Sequence, residues 1–385
     1  MITVADALAA MLANVSQTGT EIVPLASAAG RVLAVAVVAR LTQPPADVSA
    51  MDGYALGDGP GWSVIGAAPA GHPFSGCIGA GEAVRVFTGS VVPPGTVQVV
   101  PQEDVTLDGT TITVVPGPAR HIRPAGQDFQ AGDTLLRAGQ TLTPRAIGLA
   151  AAANHPWVTV HRRPQIAILA TGDEISLPGD PVGPGGIVSS NAHMVAALVR
   201  AAGADAVVLP IAADTRADLA AKIASLRADM LVTCGGASVG AHDLVQPVLI
   251  ELGFIRAFWQ VALRPGKPLL FGTLNGLPVL GLPGNPVSAF VCSVLFLRPA
   301  VSAMLGQPGI VALVERRLGA AMPANDRRQD YVRATRSGEF VTPLPRQDSS
   351  LLTVLASAES LIVRVPNAPA ASIGDLVLTL DLDPY

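Results

Sequence analysis

Met230-Leu231-Val232-Thr233 runs without a break into Cys234-Gly235-Gly236-Ala237-Ser238-Val239-Gly240. A short, continuous apolar and β-branched run predicts a strand buried on both faces, and the glycines that follow predict a loop at its carboxyl end. The same alternation recurs on either side. Strands are expected over 166–170 and 206–211, with helices over 191–202 and 216–226 between them. Further strand is expected over 254–262 and 269–282, and a long apolar helix over 286–305. Apolar strands alternating with helices predict a parallel sheet covered on both faces, hence a three-layer α/β domain. Ligands in such sheets bind beyond the carboxyl ends of the strands.

Chemistry-bearing residues gather at those ends. Besides the 235–240 loop there are Arg264-Pro265-Gly266-Lys267-Pro268 and Leu282-Pro283-Gly284-Asn285-Pro286-Val287-Ser288. Glycines let backbone N–H groups approach an anion closely, so a phosphate or oxyanion site is expected there. Lys267 stands out because only Lys222 and Lys267 are lysines among 25 lysines and arginines. Arginine does not replace a compact three-donor ammonium. The first α/β strand ends in Thr171-Gly172-Asp173-Glu174, either a capped turn or oxygen ligands for a hard cation. Asp214 and Asp243 follow the next two strands, so carboxylates can converge on magnesium-bound phosphate. Ser190 or Asn191 opens a helix, as a plain N-cap or as a group facing an anion. No Walker lysine motif and no Gly-x-Gly-x-x-Gly turn is present.

The flanking sequence has a different grain. Helices are expected over 4–15, 26–39 and 144–154. Between about 47 and 140 the chain is rich in Gly, Pro and short β-branched runs, which predicts a small all-β module. Short strands return after Pro308 and predict a C-terminal β-barrel or sandwich. The fold class is therefore multidomain: α/β plus β, with four expected domains. These are a helical and linker domain (1–46 and 141–163), an inserted β-module (47–140), the α/β domain (164–307) and the C-terminal β-domain (308–385).

Composition narrows the function. Half the chain is apolar, only 14% is charged, and the net charge is −4 without a basic stripe, which argues against a nucleic-acid partner. The three cysteines fit neither a metal spacing nor a disulfide framework, as expected in a reducing cytosol. Stretches 23–39 and 287–305 are apolar but broken by Pro24 and Arg31, and by Arg298 and Pro299. Arginine at the centre of a membrane span costs about 3 kcal/mol, so both read as core segments and no membrane association is expected.

Two earlier motifs, Ser49-Ala50-Met51-Asp52-Gly53-Tyr54-Ala55 and Phe87-Thr88-Gly89-Ser90, read physically as an Asp-Gly turn and a hairpin end. Taken with Gly126-Gln127-Asp128, the loops above, and the tail segments 328–333 and 347–350, their order and spacing resemble the molybdopterin molybdotransferase family over essentially the whole chain. That family includes bacterial MoeA and the gephyrin E domain. The resemblance implies a MogA-like α/β domain and the magnesium-dependent insertion of molybdate into adenylylated molybdopterin with release of AMP.

Residue by residue, the resemblance implies catalytic roles for Asp52, Thr88, Glu174, Asp243 and Lys267. Molybdopterin and AMP fall to Thr171, Gly172, Asp173, Ser190, Asn191, Gly235, Gly236, Ser238, Gly240, Pro283, Gly284 and Asn285. Molybdate falls to Arg264, Lys267, Pro268, Ser288, Arg328 and Ser349, and the metal to Glu174, Asp214 and Asp243. It also implies a cytoplasmic homodimer in which Asp52 and Thr88 complete the partner's site. The chain departs from the family at Arg264, commonly lysine, and at Leu244, often aromatic. An adenylyltransferase-like enzyme, a CinA-like hydrolase and a non-enzymatic scaffold are the alternatives. Neither enzyme alternative is expected to combine the Asp52 segment with a C-terminal β-domain.

Overall fold

The computed structural model describes residues 1–115, 117–236 and 244–382. The chain packs as two units, Met1–Glu21 with His161–Tyr385, and Ile22–Val160.

The first unit is built on a six-stranded sheet. Its order is Asp205–Val208, Gln165–Ala170, Met230–Cys234, Leu277–Leu282, Leu270–Leu274, Phe254–Trp259. The first four strands are parallel, as expected. The last two are not, which corrects the all-parallel expectation: Leu277–Leu282 pairs antiparallel with Leu270–Leu274, and that strand pairs antiparallel with Phe254–Trp259. The cause lies in Asn275-Gly276, where both residues take positive φ (49° and 84°) and turn 269–282 into a hairpin. Two reversals leave Phe254–Trp259 pointing the same way as Leu277–Leu282. The 264–268 loop therefore still emerges at the carboxyl edge, as Trp259 pairs with Leu270 and Leu270 with Gly281.

Helices Arg216–Ala224 and Val245–Glu251 bury Leu219, Ile223, Val245, Val248 and Leu249 against this sheet. Helix Asn191–Ala201 supplies Val195, Ala196 and Val199 to the interior. The long apolar stretch is α-helical over Pro286–Cys292 and Arg298–Met304, joined by a π segment, Ser293–Leu297. It is the one candidate membrane span among the described residues, yet 83% of its most apolar window is buried inside the molecule. It is a core helix.

A closed five-stranded β-barrel completes the unit. Gln329–Ser337 pairs with Phe340–Pro343, then Val314–Leu318, Leu376–Asp381 and Ser360–Arg364 follow, and the last pairs back to Gln329–Ser337. Leu318, Val332, Ala334, Val341 and Ile362 fill it. The short strand Leu263–Arg264 adds to the barrel through Leu263↔Gln329 and Arg264↔Asp330.

The second unit holds the β-module, a six-stranded sheet ordered Gln98–Pro101, Gly53–Leu56, Glu82–Val86, Trp62–Ala68, Thr111–Val114, Val105–Asp108. A separate core forms around Val23, Leu33, Val37, Leu142, Ala150 and Val160, with helix Pro144–Ala152 packed on it. The helix expected over 26–39 is absent. Gly30 takes φ +73°, and the backbone around it bonds to distant chain instead. Gly30 N donates to Leu142 O (2.9 Å), Leu33 N to Gln140 O (3.0 Å) and Ala39 N to Asp133 O (2.8 Å). Tertiary pairing of a β-branched run has overridden its local apolar period.

Candidate functional site

At the carboxyl edge of the α/β sheet a cleft of about 280 Å³ is lined by Thr171, Glu174, Ser190, Asn191, Gly235 and Gly284, among others. These come from four separate strand ends and loops, brought together by the parallel register of Gln165–Ala170, Met230–Cys234 and Leu277–Leu282. Gly172 sits at φ +137°, a backbone conformation that L side chains rarely adopt, so the turn favours glycine there. Gly235 N donates to Leu282 O at 3.2 Å, which locks two of the loops to each other.

Capping does not account for Ser190 and Asn191. Ser190 occupies the N-cap of Asn191–Ala201 but makes no side-chain capping bond. Asn191 Nδ2 donates to Gly284 O at 2.7 Å, while its Oδ1 is buried with no hydrogen-bond partner. A buried unpaired acceptor lining a cleft is a place for a ligand donor. Ile175, Ile187 and Val188 form an apolar wall that the sequence reading missed. The signal was the Gly/Pro-rich excursion from Pro178 to Gly186 that separates the paired strands Ile175–Ser176 and Ile187–Val188.

Asp173, Glu174 and Asp214 are all exposed at this edge, and Asp214 N donates to Asp173 Oδ1 at 3.0 Å. Ser238, Gly240 and Asp243 lie outside the described residues, and among the described residues no three His, Cys, Asp or Glu side chains converge as metal ligands. Cys234, at the cleft floor, has its thiol pushed up to about 12 by burial and stays neutral.

The residues assigned to molybdate lie on the 264–288 loops and the barrel. Lys267 is exposed; its carbonyl accepts from Val261 N at 3.1 Å, and its ammonium has no partner among the described residues. Gly266, beside it, has φ +118°, and a Cβ there would stand 2.5 Å from Cys292 Sγ. Ser288 is buried at the start of the long helix. Ser349 Oγ accepts from Asn285 Nδ2 at 2.8 Å, and Ser349 O accepts from Val287 N at 3.1 Å. Arg264 is bonded to Asp330 and reaches Asp326 at 3.5 Å. Arg328 donates to Asp326 at 2.9 Å, and its side chain and backbone N–H hold that carboxyl near a pKa of about 2.

Behind Ser349 stands Arg333, 1% exposed, to which no functional role was assigned from sequence. Its guanidinium donates to Gln347 Oε1 (3.2 Å) and Asp348 O (2.9 Å), fixing the loop that carries Ser349.

In the other unit Asp52 and Thr88 form a pair. Thr88 N and Oγ1 donate to Asp52 Oδ1 at 2.7 and 2.8 Å. The Thr88 N–H, then its hydroxyl, then the nearby Arg85 charge hold the Asp52 carboxyl below its ordinary value. Gly53 is a strand residue rather than a turn residue, which corrects the plain Asp-Gly turn reading. Two fully buried serines frame the pair: Ser90 Oγ accepts from Phe87 N (3.0 Å), and Ser49 Oγ donates to Met51 O (2.6 Å). Arg85 lies over the Tyr54 and Phe87 rings, 4.9 and 5.2 Å from their centroids.

A MogA-like α/β sheet with a ligand cleft at its carboxyl edge, accompanied by a β-module and a closed β-barrel, defines a multidomain protein of the molybdopterin-binding class. Comparison with known proteins agrees along the chain. Residues 2–154 match the MoeA N-terminal region (domain I and II), 167–303 a probable molybdopterin binding domain, and 315–382 the MoeA C-terminal region (domain IV). A molybdopterin molybdenumtransferase of Haemophilus influenzae is 33% identical, covering 100% of this chain and 99% of the relative. Molybdopterin molybdenumtransferase 2 of Mycobacterium tuberculosis is 38% identical over 74% of this chain and 75% of its own. The crystal structure of a molybdopterin biosynthesis MoeA protein from Pyrococcus horikosii superposes with a TM-score of 0.86 at 26% identity, covering 100% of both chains. The chain belongs to the molybdopterin molybdenumtransferase (MoeA) family.

Proposed function

We propose that this enzyme of molybdenum cofactor biosynthesis inserts molybdate into adenylylated molybdopterin, with AMP as the leaving group in a magnesium-dependent step. The observation that carries the reading is the cleft itself: four sheet-edge segments converge on it, and Asn191 Oδ1 waits there, buried and unpaired. A nucleotide or pterin ring donor would satisfy that acceptor, with the ring against Ile175, Ile187 and Val188. The free N–H groups opening helix Asn191–Ala201, together with the glycine turns, favour a phosphate. Lys267, without a carboxylate partner among the described residues, offers its ammonium to molybdate, and the Asn285–Ser349 bond holds a second polar group from the barrel beside the same loop.

The donor set fits magnesium. Glu174, Asp214 and Asp243 are the proposed ligands; the first two are exposed at one sheet edge, and this ion typically takes only one or two carboxylates and completes its shell with water and substrate phosphate. When bound, it would supply charge neutralisation at the pyrophosphate. Asp52, its carboxyl held below the ordinary value by Thr88, would serve the site of the partner subunit in a homodimer, and the cytoplasm is the proposed compartment.

Purified protein incubated with adenylylated molybdopterin, magnesium and molybdate should release AMP and incorporate molybdenum together. Asp243→Asn should abolish the magnesium-dependent AMP release. No AMP from the wild type, or near-normal release by Asp243→Asn at saturating magnesium, would sink the assignment. Consumption of ATP with formation of adenylylated pterin would point instead to the adenylyltransferase alternative.

A further inference from the structure

A second cavity, of about 400 Å³, opens at the C-terminal barrel. Its lining includes Arg264, Asp330 and Arg364 among apolar residues such as Met322, Val332 and Leu344. Arg364 ends the strand Ser360–Arg364 and stands opposite Asp330 in the barrel register. It is only 7% exposed. Its Nη2 donates to the carbonyls of Pro323 (3.2 Å) and Pro369, but its Nε is buried and has no hydrogen-bond partner. The carboxylate opposite is already taken, because Asp330 is bonded to Arg264. Among the described residues the guanidinium is thus paired only through Nη2, and because it lines the cavity an acceptor bound there would offset its desolvation.

The charges on the wall select that partner. Two guanidinium groups face one carboxylate, leaving a single positive charge. Outside the lining, Arg328 and Asp326 pair with each other. A dianion would exceed that balance, and a purely polar ion would leave Met322, Val332 and Leu344 without a partner. The volume falls within the range of about 300–1,000 Å³ usual for small-molecule sites.

We propose that this cavity binds a small organic carboxylate, its oxygens on the Arg364 guanidinium and its apolar body against Met322, Val332 and Leu344. It shares Arg264 with the molybdate set but includes none of Lys267, Pro268, Ser288 or Ser349, so it stands or falls separately from the proposed reaction.

The test follows the Nε–H resonances of the full chain labelled with ¹⁵N-arginine, with that of Arg364 identified by its loss in Arg364→Lys. Benzoate should shift that resonance saturably and bind at least about tenfold more tightly than acetate, reflecting the extra apolar area. Inorganic phosphate should leave it unmoved. Leu344→Asp, at the half-buried rim, should keep the wild-type melting temperature and weaken benzoate binding at least about tenfold, through repulsion and lost apolar contact. Absence of any saturable benzoate shift would mean that the Arg364 guanidinium takes no carboxylate from outside the chain and would overturn the proposal. So would a phosphate response equal to that of benzoate, or undiminished benzoate binding in Leu344→Asp.

Discussion

A single methyl group at position 53 should disable Asp52 without touching it. Gly53 opens the strand Gly53–Leu56, which pairs with Gln98–Pro101. A Cβ on it would stand 2.0 Å from Val100 O and 2.8 Å from its carbonyl carbon, where real Cβ contacts do not fall below 3.0 Å. Both obstacles are backbone, so no side chain can swing aside, and the strands must separate by about 1 Å. Asp52 is the neighbouring residue, and its carbonyl accepts from Gln102 N at 3.0 Å while its carboxylate holds Thr88. Overpacking of this kind costs about 1–3 kcal/mol. A displacement of about 1 Å at a reacting group can cost on the order of 100-fold in rate. Gly53→Ala should therefore lower the melting temperature by a few degrees and AMP release by about 100-fold, with an unchanged far-UV circular dichroism spectrum. Gly148→Ala is the control: it lies inside helix Pro144–Ala152, where an added methyl meets nothing within 4 Å, and should gain about 0.5–1 kcal/mol at full activity. Wild-type melting and wild-type rate in Gly53→Ala would refute the reasoning.

Thr88→Val should raise the Asp52 titration point in carboxyl-detected NMR, because it removes one of the two bonds that depress it; an unmoved titration would separate the pair. Lys267→Ala should weaken molybdate use more than binding of the adenylylated pterin, since it removes a charge-assisted donor of about 1.5–3 kcal/mol; equal losses would contradict its placement. Asp52→Ala and Lys267→Ala should each be inactive alone, yet recover roughly a quarter of wild-type activity when mixed after verified subunit exchange, as an isologous dimer with composite sites requires; no recovery would put each site within one chain. Asp229→Asn should destabilise the protein by about 1.5–3 kcal/mol at pH 7, because Asp229 accepts from Arg162 (2.8 and 2.9 Å) and from Gln165 N (2.7 Å). Burial alone would push that carboxyl up, but the Arg162 and Gln165 bonds outweigh it and leave it depressed. The difference between wild type and Asp229→Asn should thus be complete above an unfolded value of about 3.9 and shrink as pH falls through the lower folded value, as read by denaturant unfolding.

The strands and helices of the α/β domain, and the turns at 171–174 and 283–286, were legible because their signals are local: apolar runs of strand length, helical periods and turns opening at Gly or Pro. The hairpin at Asn275-Gly276 carried an equally local signal, a dipeptide suited to positive φ at both central positions, and the long apolar run around it concealed the reversal. The stretch from Ala26 to Ala39 was not legible. Its valines and alanines fit a helical stripe, but many of their hydrogen-bond partners lie about a hundred residues away in sequence, at 133–142 and 159–160. The same holds for the site. The residue types at the sheet edge announce an anion, whereas Arg333 under the Ser349 loop and the unpaired Nε of Arg364 follow from burial, which sequence does not display.

The strand Leu263–Arg264 has a mechanical consequence. One end of the 264–268 segment is stitched to the barrel through Arg264↔Asp330 and through Gln329 N to Ala262 O at 2.9 Å. The other end runs within two residues into Leu270–Leu274 of the α/β sheet. A third stitch, Val287 N to Ser349 O, joins the same two bodies across the loop. The barrel therefore cannot swing as a lid over Lys267 without breaking main-chain pairing at both places. In hydrogen exchange the amides of Gln329 and Val287 should open together, as one cooperative unit with the sheet. A change in the oxyanion taken up here would have to come from replacing side chains on a stiff frame, since the frame has no slack with which to adapt.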